Sequence, residues 1–125
     1  MRALLDTSVL IADVAPIDVE AAISVVSITE FHFGALLAVE NDERARRNDR
    51  LAVVEATFDP LPVSVEVARA WGRLAAAVEQ RGGKPRRRQL DLAIAATATV
   101  ERVPLLTFNL ADFRIIDDLV DARLP

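Results

Sequence analysis

Apolar residues come along this chain in short blocks, and the spacing inside each block predicts its backbone. Arg2–Leu5 is a short, mostly apolar run stopped by Asp6-Thr7-Ser8, which reads as a strand running into helix-capping residues. A brief helix over Val9–Ala12 should follow. Ala22–Ile28 is apolar and β-branched, the pattern of a strand buried on both faces. A helix is predicted over Ser27–Glu40, with Ser27-x-x-Glu30 as its capping box. Asp42–Phe58 opens charged and closes apolar, as an amphipathic helix exposed on one side does. Pro60 and Pro62 bracket a link or short strand, after which Ser64 caps an alanine-rich helix over Val65–Gln80. The clearest loop is Arg81-Gly82-Gly83-Lys84-Pro85. Gln89–Val100 is apolar on nearly every face, so it should be a buried helix. Val103–Phe108 reads as a strand, followed by a turn at Asn109, a short element around Asp112-Phe113, and Ile115–Ile116 as a last edge strand.

Strands alternating with helices imply a three-layer α/β/α sandwich around a central, mostly parallel sheet, joined by right-handed crossovers. A length of 125 residues favours one domain over 1–125, and no repeat, low-complexity tract or linker divides the chain. In such sheets ligands bind where the strands end, at their carboxyl edge.

Composition narrows the chemistry. With 52% hydrophobic and 27% charged residues the chain can bury a core and is no disordered tail. Aromatic residues are 5%, without Tyr, which argues against reading bases by stacking on several exposed rings. The absence of Cys removes disulfides, thiolate zinc sites and thiol nucleophiles, and a single histidine removes His-rich metal sites. No apolar run approaches the ~18 residues of a spanning helix. Asp6 and Asp13 interrupt what would be a signal-peptide core. A soluble protein of a reducing compartment is expected, cytoplasmic in a bacterium and not bound to a membrane.

Four acids stand at the predicted sheet edge or on a face that should be buried: Asp6 directly after the first strand, Glu30 just beyond Val25-Val26, Asp91 in the all-apolar helix, and Asp112 a few residues past Leu105–Phe108. Each has an ordinary structural explanation. Asp6 serves as an N-cap, Glu30 as the capping-box partner of Ser27, Asp91 as an acid complementing a helix dipole, Asp112 as a turn residue. Their convergence on one edge, with no obvious Arg or Lys buried among them, changes the balance. Crowded carboxylates raise one another's pKa and repel, and a divalent cation relieves the conflict. All-oxygen donors select hard cations, so Mg²⁺ or Mn²⁺ is favoured over zinc. His32, two residues from Glu30, lies roughly across the same helix, so it is read as a partly buried polar residue and not a ligand.

A second signal is Arg81, Lys84, Arg86, Arg87 and Arg88, five cations within eight residues, separated from Asp91 by only Gln89 and Leu90. A solvated charged loop explains them, but Arg forks and Lys charges also suit phosphate oxygens. The net charge of −4 does not exclude nucleic acid, because setting aside the four clustered acids leaves fifteen acids against fifteen bases. Carboxylates, a hard cation and neighbouring phosphate-binding groups together specify metal-assisted phosphodiester hydrolysis.

Read together, Leu4-Leu5-Asp6-Thr7-Ser8-Val9, Ser27-Ile28-Thr29-Glu30-Phe31, Asp91-Leu92-Ala93-Ile94-Ala95-Ala96 and Leu106-Thr107-Phe108-Asn109-Leu110-Ala111-Asp112-Phe113 resemble the four motifs of PIN-domain ribonucleases, specifically the VapC-type toxins of bacterial toxin–antitoxin pairs. The likeness covers essentially the whole chain. It implies an endoribonuclease whose Asp6, Glu30, Asp91 and Asp112 hold Mg²⁺ or Mn²⁺, with Thr107 and Asn109 orienting water or ligand beside the fourth acid. It further implies RNA as substrate, a cognate VapB-type antitoxin that obstructs the site, and homodimers or toxin–antitoxin hetero-oligomers. Two other readings remain open: a PIN-like module that binds without cutting, and a phosphotransfer or phosphatase domain with Asp6 as nucleophile. The phosphatase reading is weakened by Ser8 standing where such enzymes carry a second acid, and Gly82-Gly83-Lys84-Pro85 lacks the glycine spacing of a phosphate loop.

Overall fold

A computed structural model describes residues 1–12 and 17–125; Asp13 lies outside the described residues. Strand β1 (Arg2–Leu5) runs between β2 (Glu20–Ile23) and β3 (Leu105–Leu106), and β4 (Ala122–Arg123) lies beyond β3. The order β2-β1-β3-β4 is parallel at every pairing, with Leu5 in register with Ile23 on one side and Leu106 on the other. Among the described residues five helices surround it: α1 (Thr7–Ile11), α2 (Val25–Leu37), α3 (Asn41–Thr57), α4 (Val65–Gln80) and α5 (Gln89–Glu101). Pro85–Arg88 and Leu110–Ile116 are short 3-10 segments.

Because side chains alternate along a strand, the sheet sends successive residues into two separate cores. Leu4 and Leu105 pack against Val67, Ala70 and Leu74 of α4 and the apolar run of α5. Ala3, Leu5, Ile23 and Leu106 pack the other way, against Phe31 of α2 and Leu51 and Val54 of α3. This is the expected three-layer arrangement. Every residue from Leu92 to Ala98 is buried, which the all-apolar sequence of α5 required. No helix among the described residues is long and apolar enough to cross a membrane.

Ser64 caps α4 as its sequence predicted, its Oγ accepting from Val67 N at 3.1 Å. The helix ends in a double-glycine turn. Gly82 adopts φ +88°, and Gly83 N–H donates to Val78 O at 2.9 Å. A Cβ on Gly83 would stand 2.7 Å from Val78 Cγ1, so only glycine fits the close approach there.

Three expectations are corrected. The strand assigned to Ala22–Ile28 stops at Ile23, and the helix expected from Ser27 starts at Val25. Ser24, not Ser27, is the cap, its Oγ accepting from Val26 N at 3.0 Å. The β-branched propensity of Val25-Val26 yields because β1 ends opposite Ile23 and Ser24 meets only Leu61, in a single bridge, so the capped helix satisfies the chain instead. Ile115–Ile116 is not an edge strand; it belongs to the 3-10 segment that buries Phe113 and Ile116, and Ala122–Arg123 supplies the edge. His32 is exposed, not partly buried, and pairs with Glu55 at 3.0 Å across α2 and α3.

Candidate active site

The carboxyl edge of the sheet gathers acids from four separate segments. Asp6 leaves β1 and caps α1, with 4% of its surface exposed. Its Oδ1 accepts from Ser8 Oγ at 2.5 Å and from Val9 N at 3.4 Å, while its own N–H donates to Leu106 O across the sheet at 3.1 Å. The N-cap reading is therefore correct, yet it occupies only one carboxylate oxygen; Oδ2 has no hydrogen-bond partner among the described residues.

Glu30 sits in the second turn of α2, because the helix starts earlier than its sequence suggested. It is not a capping-box partner. Ser27 is buried inside the helix and faces Thr7, the two hydroxyl oxygens 3.0 Å apart, and Thr7 Oγ1 donates to Glu30 Oε1 at 2.7 Å. One residue of the Asp6-Thr7-Ser8 corner thus fixes the neighbouring acid, and the next fixes Asp6 itself. Ser8 Oγ also accepts from Phe108 N at 3.0 Å, which ties the exits of β1 and β3 together.

Asp91 occupies the first turn of α5, as the dipole explanation supposed, but makes no hydrogen bond or ion pair among the described residues. Burial holds its carboxyl up at about pKa 6, and the charges of Glu30, Asp6 and Asp112 push the same way, with Arg88 opposing them. The dipole of α5 does not compensate that crowding. Asp91 thus feels all three other acids at once, the electrostatic mark of a shared site.

Asp112 lies in the 3-10 segment after β3, its N–H donating to Asn109 O at 2.9 Å. No Arg or Lys is buried among the acids in the described residues, but an exposed one reaches them: Arg88 Nη1 lies 2.5 Å from Asp112 Oδ2. Thr107 is fully buried and its Oγ1 accepts from Asn109 N at 2.9 Å, so it shapes the turn that delivers Asp112; Asn109 is exposed beside it. Of the basic run, Arg81 is taken up by Asp118, through two contacts at 2.6 and 3.1 Å, and by Ile115 O. Lys84, Arg86 and Arg87 are exposed and make no ion pair among the described residues.

The residues suit a divalent cation in kind and in charge. All four offer carboxylate oxygens, each keeps at least one without a partner among the described residues (Asp91 keeps both), and mutual repulsion calls for positive charge. Among the described residues no three of these side chains close into a ready-made ligand cage. Thr7, Ser8 and Ser27 are the supporting residues that sequence reasoning missed. For Thr7 and Ser8 the sequence signal is the Asp6-Thr7-Ser8 corner and for Ser27 the Ser27-x-x-Glu30 spacing, each of which local pattern also explains as helix capping. Beyond Glu30, a cleft of about 850 Å³ continues between α1, α2 and α3, lined by Ile11, Phe31, Arg46, Arg47, Arg50 and Val53.

The sequence matches the PIN domain family model over residues 3–119. It is 37% identical over 130 residues to "Ribonuclease VapC5" of Mycobacterium tuberculosis, covering 97% of this chain and 92% of that protein. "Ribonuclease VapC8" of the same species is 38% identical over 103 residues, covering 78% of this chain and 91% of that one. The fold superposes on a crystal structure of VapBC-5 from Mycobacterium tuberculosis, a member of the VapBC family of toxin-antitoxin systems. The TM-score is 0.84 and the identity 34%, covering 99% of this chain and 98% of that one. VapBC2 from Rickettsia felis, bound to a DNA fragment from its promoter, gives a TM-score of 0.81 at 20% identity over 100% and 99% of the two chains, a likeness of fold alone.

Proposed function

The chain belongs to the PIN-domain family, and from that premise we propose that it is a Mg²⁺- or Mn²⁺-dependent endoribonuclease, the toxin of a type II toxin–antitoxin pair. The observation that carries the metal-site part of this reading is Asp91, a half-buried carboxylate without a partner that feels Asp6, Glu30 and Asp112 together. Asp6, Glu30, Asp91 and Asp112 would hold the cation. Bound there, it would lower the pKa of an attacking water and offset charge on the scissile phosphate and leaving oxygen.

The protein's own groups prepare that chemistry. Ser8 and the α1 backbone hold Asp6 in one orientation, and Thr7 holds Glu30 through its hydroxyl. Asp91 is carried on the most completely buried helix of the fold, so its position is set by core packing. Lys84, Arg86 and Arg87, exposed cations in the segment that precedes the Asp91 helix, would meet the RNA backbone, while Thr107 and Asn109 form the turn that carries Asp112. No side-chain nucleophile is required.

A VapB-type antitoxin is the proposed partner, in a toxin–antitoxin hetero-oligomer that includes toxin homodimers. Support comes from the VapBC complex cited above and from exposed apolar residues along and just past α2, namely Phe33, Leu36, Leu37 and Val39. The proposed location is the cytoplasm.

A non-cleaving RNA-binding module is the second reading, favoured by the Arg88–Asp112 pair, which engages one acid of the four. Incubating the Mn²⁺-loaded protein with a panel of cellular RNAs, and mapping new 5′ ends, separates the two. New ends that vanish with Asp6→Asn and with chelator support the enzyme. Binding without cleavage, at any divalent cation supplied, overturns it.

A further inference from the structure

Arg88 is the residue whose placement neither the fold nor the acids explain. It closes the 3-10 segment Pro85–Arg88, directly before α5, and it is well exposed. Its guanidinium contacts Asp112, and its charge also works on Asp91, so one side chain bears on two of the four acids. Arg86 and Arg87, its neighbours in the basic run, make no such contact. The segment carrying Arg88 has no cap hydrogen bond and only short-range backbone ties, such as Arg87 N to Lys84 O at 3.2 Å. Asp112 likewise lies on a 3-10 segment and not in the strand ladder. Both partners can therefore part without breaking the sheet.

We propose that Arg88 is an exchangeable counter-ion. It neutralises Asp112 while the acids hold no cation, and is released to an RNA phosphate when a divalent cation takes Asp112. The inference rests on the ribonuclease reading above and adds an order to it. A guanidinium and a hard dication compete for the same carboxylate oxygens, and only one can have them. Once displaced, the guanidinium stands two residues from the unpaired Arg86 and on the rim where phosphate would lie. Cation loading thereby switches on one further phosphate contact, and by linkage RNA favours cation binding to the same degree.

Three variants test the exchange, with Arg88→Ala and Arg88→Gln set against Arg87→Ala, which removes the same charge without touching Asp112. Mn²⁺ calorimetry without RNA should show about two- to fivefold tighter binding in both Arg88 variants, the scale of a partly exposed ion pair. Arg87→Ala should match the wild type. RNA binding is read by fluorescence anisotropy in the first seconds after mixing, with the RNA checked by gel. Without Mn²⁺, the Arg88 variants should keep the wild-type salt slope of RNA binding, whereas Arg87→Ala should lower it. With Mn²⁺, the Arg88 variants should lose affinity and their salt slope should fall by about one. Equal Mn²⁺ affinity in wild type and Arg88 variants, weaker Mn²⁺ affinity in them, or a loss of salt slope independent of Mn²⁺ would each overturn the exchange. Failure of the wild type itself to bind Mn²⁺ at millimolar concentration would instead overturn the ribonuclease reading.

Discussion

Replacing Asp91 by Asn should stabilise the fold near neutral pH while abolishing RNA cleavage. The carboxyl is held near pKa 6, against an ordinary value of 3.8, by burial first and then by Glu30, Asp6 and Asp112. Folding thus raises its affinity for a proton by roughly a hundredfold, a penalty of about 3 kcal/mol on the ionised form if nothing screened it. Asp91 is partly exposed, so solvent screening reduces the expected penalty to about 1–2 kcal/mol. The sign follows from proton counting. Between about pH 4 and pH 6 the unfolded chain has released this proton and the folded chain retains it, so stability falls as pH rises through that window. Asn cannot ionise and escapes the loss. Urea unfolding in chelator should give Asp91→Asn a higher midpoint at about pH 7 and a midpoint merging with the wild type below about pH 4. Millimolar Mn²⁺ should raise the wild-type midpoint more than that of the variant, since the cation removes the same repulsion. A variant less stable than wild type at neutral pH, or an advantage that persists in acid, would refute this account of the site.

The supporting residues give further expectations. Thr7→Val should weaken Mn²⁺ binding by about 10- to 100-fold through loss of the bond to Glu30, and should lower the unfolding midpoint by stranding the buried Ser27 hydroxyl, as calorimetry and urea titration would show. Ser8→Ala removes the bonds to Asp6 and to Phe108 N and should cost about 1–3 kcal/mol in urea unfolding as well as activity. Doubling Arg86→Ala with Arg87→Ala should reduce the salt slope of RNA binding by about two, and an unchanged slope would return these residues to plain surface charge. Gly83→Ala should destabilise by about 1–3 kcal/mol, because its Cβ would meet Val78 Cγ1 at 2.7 Å and Val78 O at 3.2 Å.

How far the chain could be read in advance depended on whether local and tertiary preferences agreed. Ser64, the alanine-rich α4 and the all-apolar α5 were legible because cap, propensity and burial point the same way in each. At Ser24 they conflict. The β-branched Ile23-Ser24-Val25-Val26 run looks like strand, yet β1 ends opposite Ile23 and Ser24 has only a single bridge to Leu61, a tertiary fact absent from local pattern. That shift moved Glu30 from a first turn to a second, and with it went the capping-box explanation. The two-residue strands β3 and β4 are set by pairing alone, so Ile115–Ile116 could be mistaken for the edge. Convergence of the acids was visible because parallel sheets deliver strand ends to one rim. The side chains that hold them were not, since a hydroxyl bonded across 23 residues, as Thr7 is to Glu30, leaves no periodic trace.

The rim is also uneven in stiffness. Asp6 is pinned by a strand ladder, a helix cap and Ser8, and Asp91 by a helix locked in the core, whereas Asp112 rides a short 3-10 segment outside the sheet. Ions of different radius would therefore be accommodated by adjusting that single arm, without deforming the other two. Such a mount discriminates poorly by size, so magnesium and the slightly larger manganese should substitute for each other with little cost to the scaffold.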